Sequence, residues 1–203
     1  MGRQIPFSRE HFLGVTDREA AKALFNVSVS NVVIELFSYC NRRCHYCPVS
    51  LVDRLSSNNF LEWSLFERIV RDLKEISYNA GVCLNLYNEP TSEREILIRA
   101  VRTLRAALPA ANIYFGTNGD YLNPGYLAEL KEAGLTQLYV TMHVAREQAY
   151  SDLYCLSRFS DFAARIGLGA KFISYTPNCH ISATANYDGM KLHIFSTNYE
   201  LYG

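Results

Sequence analysis

Three cysteines fall within eight residues, as Cys40-Asn-Arg-Arg-Cys44-His-Tyr-Cys47 followed by Pro48, a C-x3-C-x2-C spacing. Three thiolates on one short loop can hold three corners of a [4Fe–4S] cube. The next cysteine, Cys83, is far off in sequence. One iron of such a cube would therefore lack a protein ligand, which makes it a reactive position rather than a purely structural one. Zinc is the competing occupant, but a structural zinc site wants four ligands closed around the ion, usually from paired knuckles. The chain offers a single C-x2-C, and His45, between two of the cysteines, is poorly placed to reach the same ion. A disulfide framework would need an oxidising compartment, to which nothing in the chain points. Cys83, Cys155 and Cys179 read as small, buried apolar residues.

The elements that must position this loop alternate along the chain. Val32-Val33-Ile34-Glu35-Leu36-Phe37, part of a first strand near residues 31–37, leads straight into the first cysteine. Further strands are expected at Val82–Tyr87, Asn112–Phe115, Gln137–Met142, Gly169–Ser174 and Lys191–Phe195. Capping boxes at Thr16/Glu19, Ser64/Glu67 and Ser92/Glu95 open helices, and Asn123-Pro124 supplies an N-cap with proline at the first helical position. Gly134 is the expected stop of that helix, and a further helical region runs from about Arg146 to Ile166. Strands alternating with capped helices are the mark of βαβ units and a parallel sheet. Six such units are too few for a complete eight-stranded barrel and suit a partial barrel or an open doubly wound sheet.

In parallel α/β architectures the working residues gather at the C-terminal ends of the strands. The cysteine loop follows the first strand, and Asn88-Glu89-Pro90 follows the second. Thr117-Asn118-Gly119 follows the third, and Thr141 and His143 end the fourth. All four groups should share one mouth. Each has a plainer reading. Glu89 suits a helix start, where its charge meets the dipole. Asn118-Gly119 suits a simple turn. His143 suits a satisfied strand end, and Tyr46 suits packing within the loop. Arg42 and Arg43 read as a solvated edge.

Cys40, Cys44 and Cys47, with aromatic Tyr46 before the last cysteine, resemble the C-x3-C-x-aromatic-C signature of the radical S-adenosylmethionine (SAM) superfamily, and cores of its peptide-modifying members with auxiliary-cluster domains. The likeness covers roughly residues 30–196 and is sharpest at the cysteine loop. It implies an α/β fold, a partial (β/α)6 TIM-like barrel with parallel strands. It implies a [4Fe–4S] cluster on the three cysteines, whose open iron is chelated by SAM. It also implies reductive cleavage of SAM to a 5′-deoxyadenosyl radical that abstracts hydrogen from a peptide or small molecule. By the same resemblance Tyr46 lies against adenine, and Asn88-Glu89-Pro90 resembles a Gly-Glu-Pro motif that receives the SAM ammonium. Thr117, Asn118, Thr141 and His143 stand where related chains contact SAM. An electron donor such as flavodoxin or ferredoxin is implied as partner. The competing class is a non-catalytic iron–sulfur protein for electron transfer or sensing.

Composition sets outer bounds. The 203 residues carry 20 basic and 20 acidic side chains, a balance that gives no support to a nucleic-acid partner. No apolar run approaches the ~20 residues that span a bilayer. Six cysteines without an export signal fit a reducing cytoplasm. Residues 1–30 read as a lead-in segment with a short helix, and 31–203 as the core domain. The last expected strand lies close to Leu201-Tyr202-Gly203 with no closing helix. A bare strand edge there would invite association. The reading is a core domain cut from a longer chain, or one whose open side is covered by a partner or substrate.

Overall fold

The computed structural model describes residues 14, 17–144 and 148–201. Thr16 and Arg146, named above for helix starts, lie outside the described residues. In chain order the elements are α1 (Arg18–Ser28), β1 (Asn31–Val33), α2 (Trp63–Glu75), β2 (Gly81–Cys83), α3 (Arg94–Ala107), β3 (Asn112–Thr117), α4 (Pro124–Ala133), β4 (Gln137–Thr141), α5 (Asp152–Ile166), β5 (Lys171–Thr176), β6 (His180–Tyr187) and β7 (Met190–Thr197). They build one seven-stranded sheet in the order β1-β2-β3-β4-β7-β6-β5.

The α/β class and the parallel-dominant sheet are as expected. β1 through β4 pair in parallel, and β7 joins β4 in parallel, with Leu138 opposite Leu192 and Val140 opposite Ile194. The C-terminal third departs from six repeated βα units. β5, β6 and β7 form an antiparallel meander. His180–Tyr187, assigned to no element by its sequence pattern, is a full strand. Its turn into β7 is Asp188-Gly189, with φ of 46° and 86°. Two left-handed residues in a two-residue loop match the twist of the flanking strands. The last strand is therefore interior, between β4 and β6, and the bare edge is β5, where all six residues are exposed.

Side-chain alternation divides the sheet into two faces. Val82, Ile113, Phe115, Leu138, Val140, Ile181, Leu192 and Ile194 are buried on one face. They share a core with Phe66 and Leu73 of α2, Leu97 and Leu104 of α3, Leu127 and Leu130 of α4, and Phe159 and Phe162 of α5. The opposite face is half-buried and mixed: Cys83, Tyr114, Tyr139, Thr141, His193, Phe195 and Thr184. Its register sets Cys83 beside Tyr114, Tyr139 beside His193, and His193 beside Thr184.

Helix ends explain where the chain turns. Asn123 caps α4 by accepting from the Tyr126 amide at 3.0 Å, and Gly134 closes it at φ 97°, as its sequence indicates. The boxes at Ser64 and Ser92 do not form. α2 starts one residue before Ser64 with Glu62 as its cap position, and α3 is capped at Glu93, neither with a side-chain bond. A 3-10 turn, Pro90–Ser92, takes the place of the first turn expected at Ser92. α1 is capped by Asp17, which accepts from the Ala20 amide at 2.7 Å.

Candidate active site

The cysteine loop begins where the first strand leaves the sheet. β1 is shorter than its apolar run: after Val33 the chain keeps one sheet bond, from the Ile34 amide to the Cys83 carbonyl at 2.9 Å. Residues 36–38 then pair with 59–61 instead, through the Leu61 amide to Leu36 and the Ser38 amide to Asn59, each at 2.9 Å. β2 is likewise cut short at Cys83. The segment after it is tied to the loop by the Glu89 amide donating to the Tyr39 carbonyl at 2.9 Å. Glu35 accepts from the Tyr87 amide at 2.9 Å and from Arg54 at 3.1 Å, which fixes the same two segments from the other side.

Cys40, Cys44 and Cys47 line one cavity of about 190 Å³ together with Asn85, Asn88, Glu89, Gly116, Thr117, Asn118, Thr141 and His143. The four groups expected at one mouth are thus brought together. Tyr46 is not among the lining residues. Its ring stacks on Tyr199 with centroids 4.2 Å apart, and its hydroxyl bonds His143 Nδ1. The packing role of Tyr46 is the one realised within the chain.

Glu89 is 2% exposed. Its Oε1 accepts from the Thr91 amide at 3.1 Å, the Thr91 hydroxyl at 2.5 Å and the Thr117 hydroxyl at 2.6 Å, and its Oε2 accepts from the Asn118 amide at 2.7 Å. It also caps the Pro90–Ser92 turn, so the helix-start reading holds in part. Burial raises its carboxyl above the usual value, and the four donors only partly offset this. Oε2, with one donor, keeps acceptor capacity for a cation. The Thr117 hydroxyl also accepts from the Gly119 amide at 3.0 Å, and both amide atoms of Asn118 are engaged, with Asn41 at 2.7 Å and the Asp120 amide at 3.0 Å.

Asn88 is different. It is 6% exposed, and among the described residues neither its Nδ2 nor its Oδ1 has a partner. A buried carboxamide left unpaired is costly unless a ligand completes it. In this cavity it offers its NH2 donors and its carbonyl acceptor to an incoming group.

His143 is neutral at pH 7, because burial and then the Arg42 charge hold its pKa down to about 4. The Tyr46 hydroxyl and Nδ1 share a hydrogen bond whose direction follows the tautomer of the neutral ring. Burial pushes the Cys40 thiol up to about 11, with Glu89 and the other two thiols adding to it, and raises Cys44 as well. Loading iron must expel these protons. None of the three is in a disulfide. Among the described residues no three His, Cys, Asp or Glu side chains gather closely enough for a single metal ion. A cube gives each cysteine its own iron, so thiols spread around one cavity suit a cluster better than mononuclear zinc.

Arg42 departs from the solvated-edge reading. Its guanidinium grips Asp120 through Nε at 2.8 Å and NH2 at 2.6 Å, and NH1 donates to the His143 carbonyl at 3.3 Å. No local pattern could reveal this, since the partner lies 78 residues away. Arg43 fits the edge reading, half-exposed and paired with Asp53 at 3.0 Å.

Comparison with known proteins is consistent with this arrangement. The family model described as the radical SAM superfamily matches residues 34–166. The S-adenosyl-L-methionine-dependent 2-deoxy-scyllo-inosamine dehydrogenase of Niallia circulans is 26% identical over 125 residues, 62% of this chain and 49% of the relative. The crystal structure of BtrN in complex with AdoMet and 2-DOIA superposes with a TM-score of 0.52 at 26% identity, covering 62% of this chain and 49% of that one. The selenomethionine form of BtrN in an open conformation gives 0.51 at 28% identity, over 57% and 50%. The chain spans about half the length of these relatives. No helix among the described residues is long and apolar enough to cross a membrane. With a family model matching well over half its length, the chain belongs to the radical SAM superfamily, enzymes that use a [4Fe–4S] cluster and S-adenosylmethionine.

Proposed function

We propose that Cys40, Cys44 and Cys47 hold the [4Fe–4S] cluster, that SAM docks beside it in the same cavity, and that hydrogen is taken from a small, hydroxylated ring compound. The observation that carries this reading is the cavity itself: three thiols share it with a buried carboxamide, Asn88, that has no partner among the described residues. When bound, the cluster and SAM supply one-electron cleavage of the sulfonium and the 5′-deoxyadenosyl radical that removes the hydrogen atom.

The chain's own groups have separable roles. Asn88 offers its amide to the amino-acid end of SAM, and Glu89 Oε2 offers the anionic acceptor that an ammonium requires in a dry cavity. Thr117 and Asn118 spend their polar groups holding Glu89 and the cysteine loop. They shape the cavity rather than reach freely into it. Neutral His143 presents no second cation to the cavity. That matters beside a sulfonium, which a charged imidazole would repel.

Two facts favour a small hydroxylated substrate over a peptide. The Niallia circulans relative is named for dehydrogenation of 2-deoxy-scyllo-inosamine. The half-buried face of the sheet next to the cavity also alternates aromatic and hydroxyl groups. His193 stacks on Tyr139 at 5.0 Å, Tyr114 meets Tyr139 edge-on at 5.6 Å, and Thr141 and Thr184 lie alongside. Flat rings beside hydroxyls suit a polar ring with a nonpolar face. Anaerobically reconstituted protein, given SAM, a strong reductant and ring-deuterated aminocyclitols, is expected to form 5′-deoxyadenosine carrying deuterium. No 5′-deoxyadenosine, or equal amounts from the triple Cys→Ala variant, overturns the assignment. Transfer from deuterated peptides alone overturns the substrate class.

A further inference from the structure

We propose that Arg42 and Asp120 are positioning residues that act as one charge-compensated clamp, holding the cysteine loop in place and setting the reduction potential of the cluster; this rests on the assignment of Cys40, Cys44 and Cys47 as its ligands. Asp120 is a junction of three segments that the fold brings together. From the cysteine loop, Asn41 Nδ2 reaches its Oδ2 at 2.9 Å and Arg42 grips both carboxylate oxygens. From α5, Arg158 approaches Oδ1 at 3.8 Å, and Arg165 donates to the carbonyls of Gly119 and Asp120 at 2.6 and 3.4 Å. From its own turn, the Asp120 amide donates to Asn118 Oδ1 at 3.0 Å, and Asn118 Nδ2 returns to Asn41 at 2.7 Å. The ring Asn41–Asn118–Asp120 therefore ties the metal-binding loop to the turn that also supplies an amide to Glu89.

The pair is placed to matter electrically. The Arg42 and Asp120 side chains are only 17% and 30% exposed, so solvent screens them weakly. Arg42 lies between Cys40 and Cys44 in sequence. Both Arg42 and Cys44 line the cavity and also an outer recess shared with Asp120 and Arg158. Reduction adds negative charge to a cluster, so an uncompensated cation beside it raises the potential and an uncompensated anion lowers it. With the pair intact the two largely cancel.

This gives a test that a merely structural role would not pass. Asp120→Asn keeps the shape and leaves Arg42 unbalanced. Among the described residues, Arg42→Gln leaves the carboxylate facing Asn41 and the more distant Arg158. Redox-poised electron paramagnetic resonance on the reconstituted protein is expected to shift the midpoint upward for Asp120→Asn and downward for Arg42→Gln, with the double variant near the parent. Shifts of the same sign, or none, refute the electrostatic role. Loop-holding is read in the metal-free protein, whose melting temperature should fall in both single variants by more than additivity allows when compared with the double. Strictly additive losses refute that part. If either neutral variant does not fold, Arg42→Lys and Asp120→Glu take its place: each keeps its charge, but Lys lacks the two-pronged donor and Glu reaches one methylene too far, so iron content should drop while the potential stays, and a shifted potential refutes the electrostatic role. A parent chain that takes up no cluster would count against the ligand assignment, whereas the melting comparison would still judge the clamp.

Discussion

Replacing Asn88 by Ala should leave the empty protein as stable as before, or more so, and weaken its grip on SAM. The two effects have one cause. Asn88 is 6% exposed, and both its amide atoms are unpaired among the described residues. An unsatisfied buried polar group costs about 1–3 kcal/mol. In the metal-free chain the substitution removes that cost, set against the loss of a few side-chain contacts. A protein of this size moves by about 2–4 °C per kcal/mol. The melting temperature of apo Asn88→Ala should accordingly equal or exceed that of the parent. In the ligand complex the same amide is satisfied, and its deletion forfeits about 1–3 kcal/mol, or about 5- to 150-fold in Kd. Calorimetric titration of SAM into the reconstituted protein reads the second number, and thermal melting of the apoprotein the first. An unchanged Kd would show that Asn88 does not face SAM. A lower apo melting temperature with unchanged Kd would mean that its amide has a structural partner after all.

Other consequences follow from the same geometry. The raised carboxyl of Glu89 means that the native apoprotein binds a proton more tightly than the unfolded chain, so its stability should fall as pH climbs from the usual 4.5 through the higher native value. Urea melts across that window should show this slope, and Glu89→Gln should flatten it; the same slope in the variant would assign it elsewhere. Gly134 closes α4 at φ 97°, and a Cβ there would lie 2.5 Å from the Arg105 side chain, so Gly134→Ala should cost more than about 1 kcal/mol in urea unfolding. The bare edge strand β5 presents Phe172, Ile173 and Tyr175 at 54%, 61% and 56% exposure. Ile173→Lys should reduce concentration-dependent association in light scattering without lowering the melting temperature.

Much of the site was readable because its parts are local in sequence. The cysteine spacing is a short motif, and the placement of Asn88, Glu89, Thr117, Asn118, Thr141 and His143 required only that strands be followed by loops at one edge. Asn123, Pro124 and Gly134 could be read because capping is a contest among neighbours, and it resolves as the residue types suggest. What escaped depends on distant partners. Arg42 looks like a surface charge until Asp120 arrives beside it, and Tyr46 looks available until Tyr199 covers it. Ser64 and Ser92 match a capping pattern, but those helices start at Trp63 and Arg94 instead. Strand β6 did carry a signal, the Asp188-Gly189 pair between two alternating runs, and that turn also fixes the direction of the sheet's far end. An expectation of continued βα repeats passes over it.

The most direct measurement is electron paramagnetic resonance of the reconstituted, reduced protein with and without SAM whose amino group is labelled with 15N. The account predicts a single reduced [4Fe–4S] signal whose shape changes when SAM is added, with hyperfine coupling to the labelled nitrogen, and loss of the signal in the triple Cys→Ala variant. A cluster signal indifferent to SAM, or one that survives the loss of Cys40, Cys44 and Cys47, would contradict it.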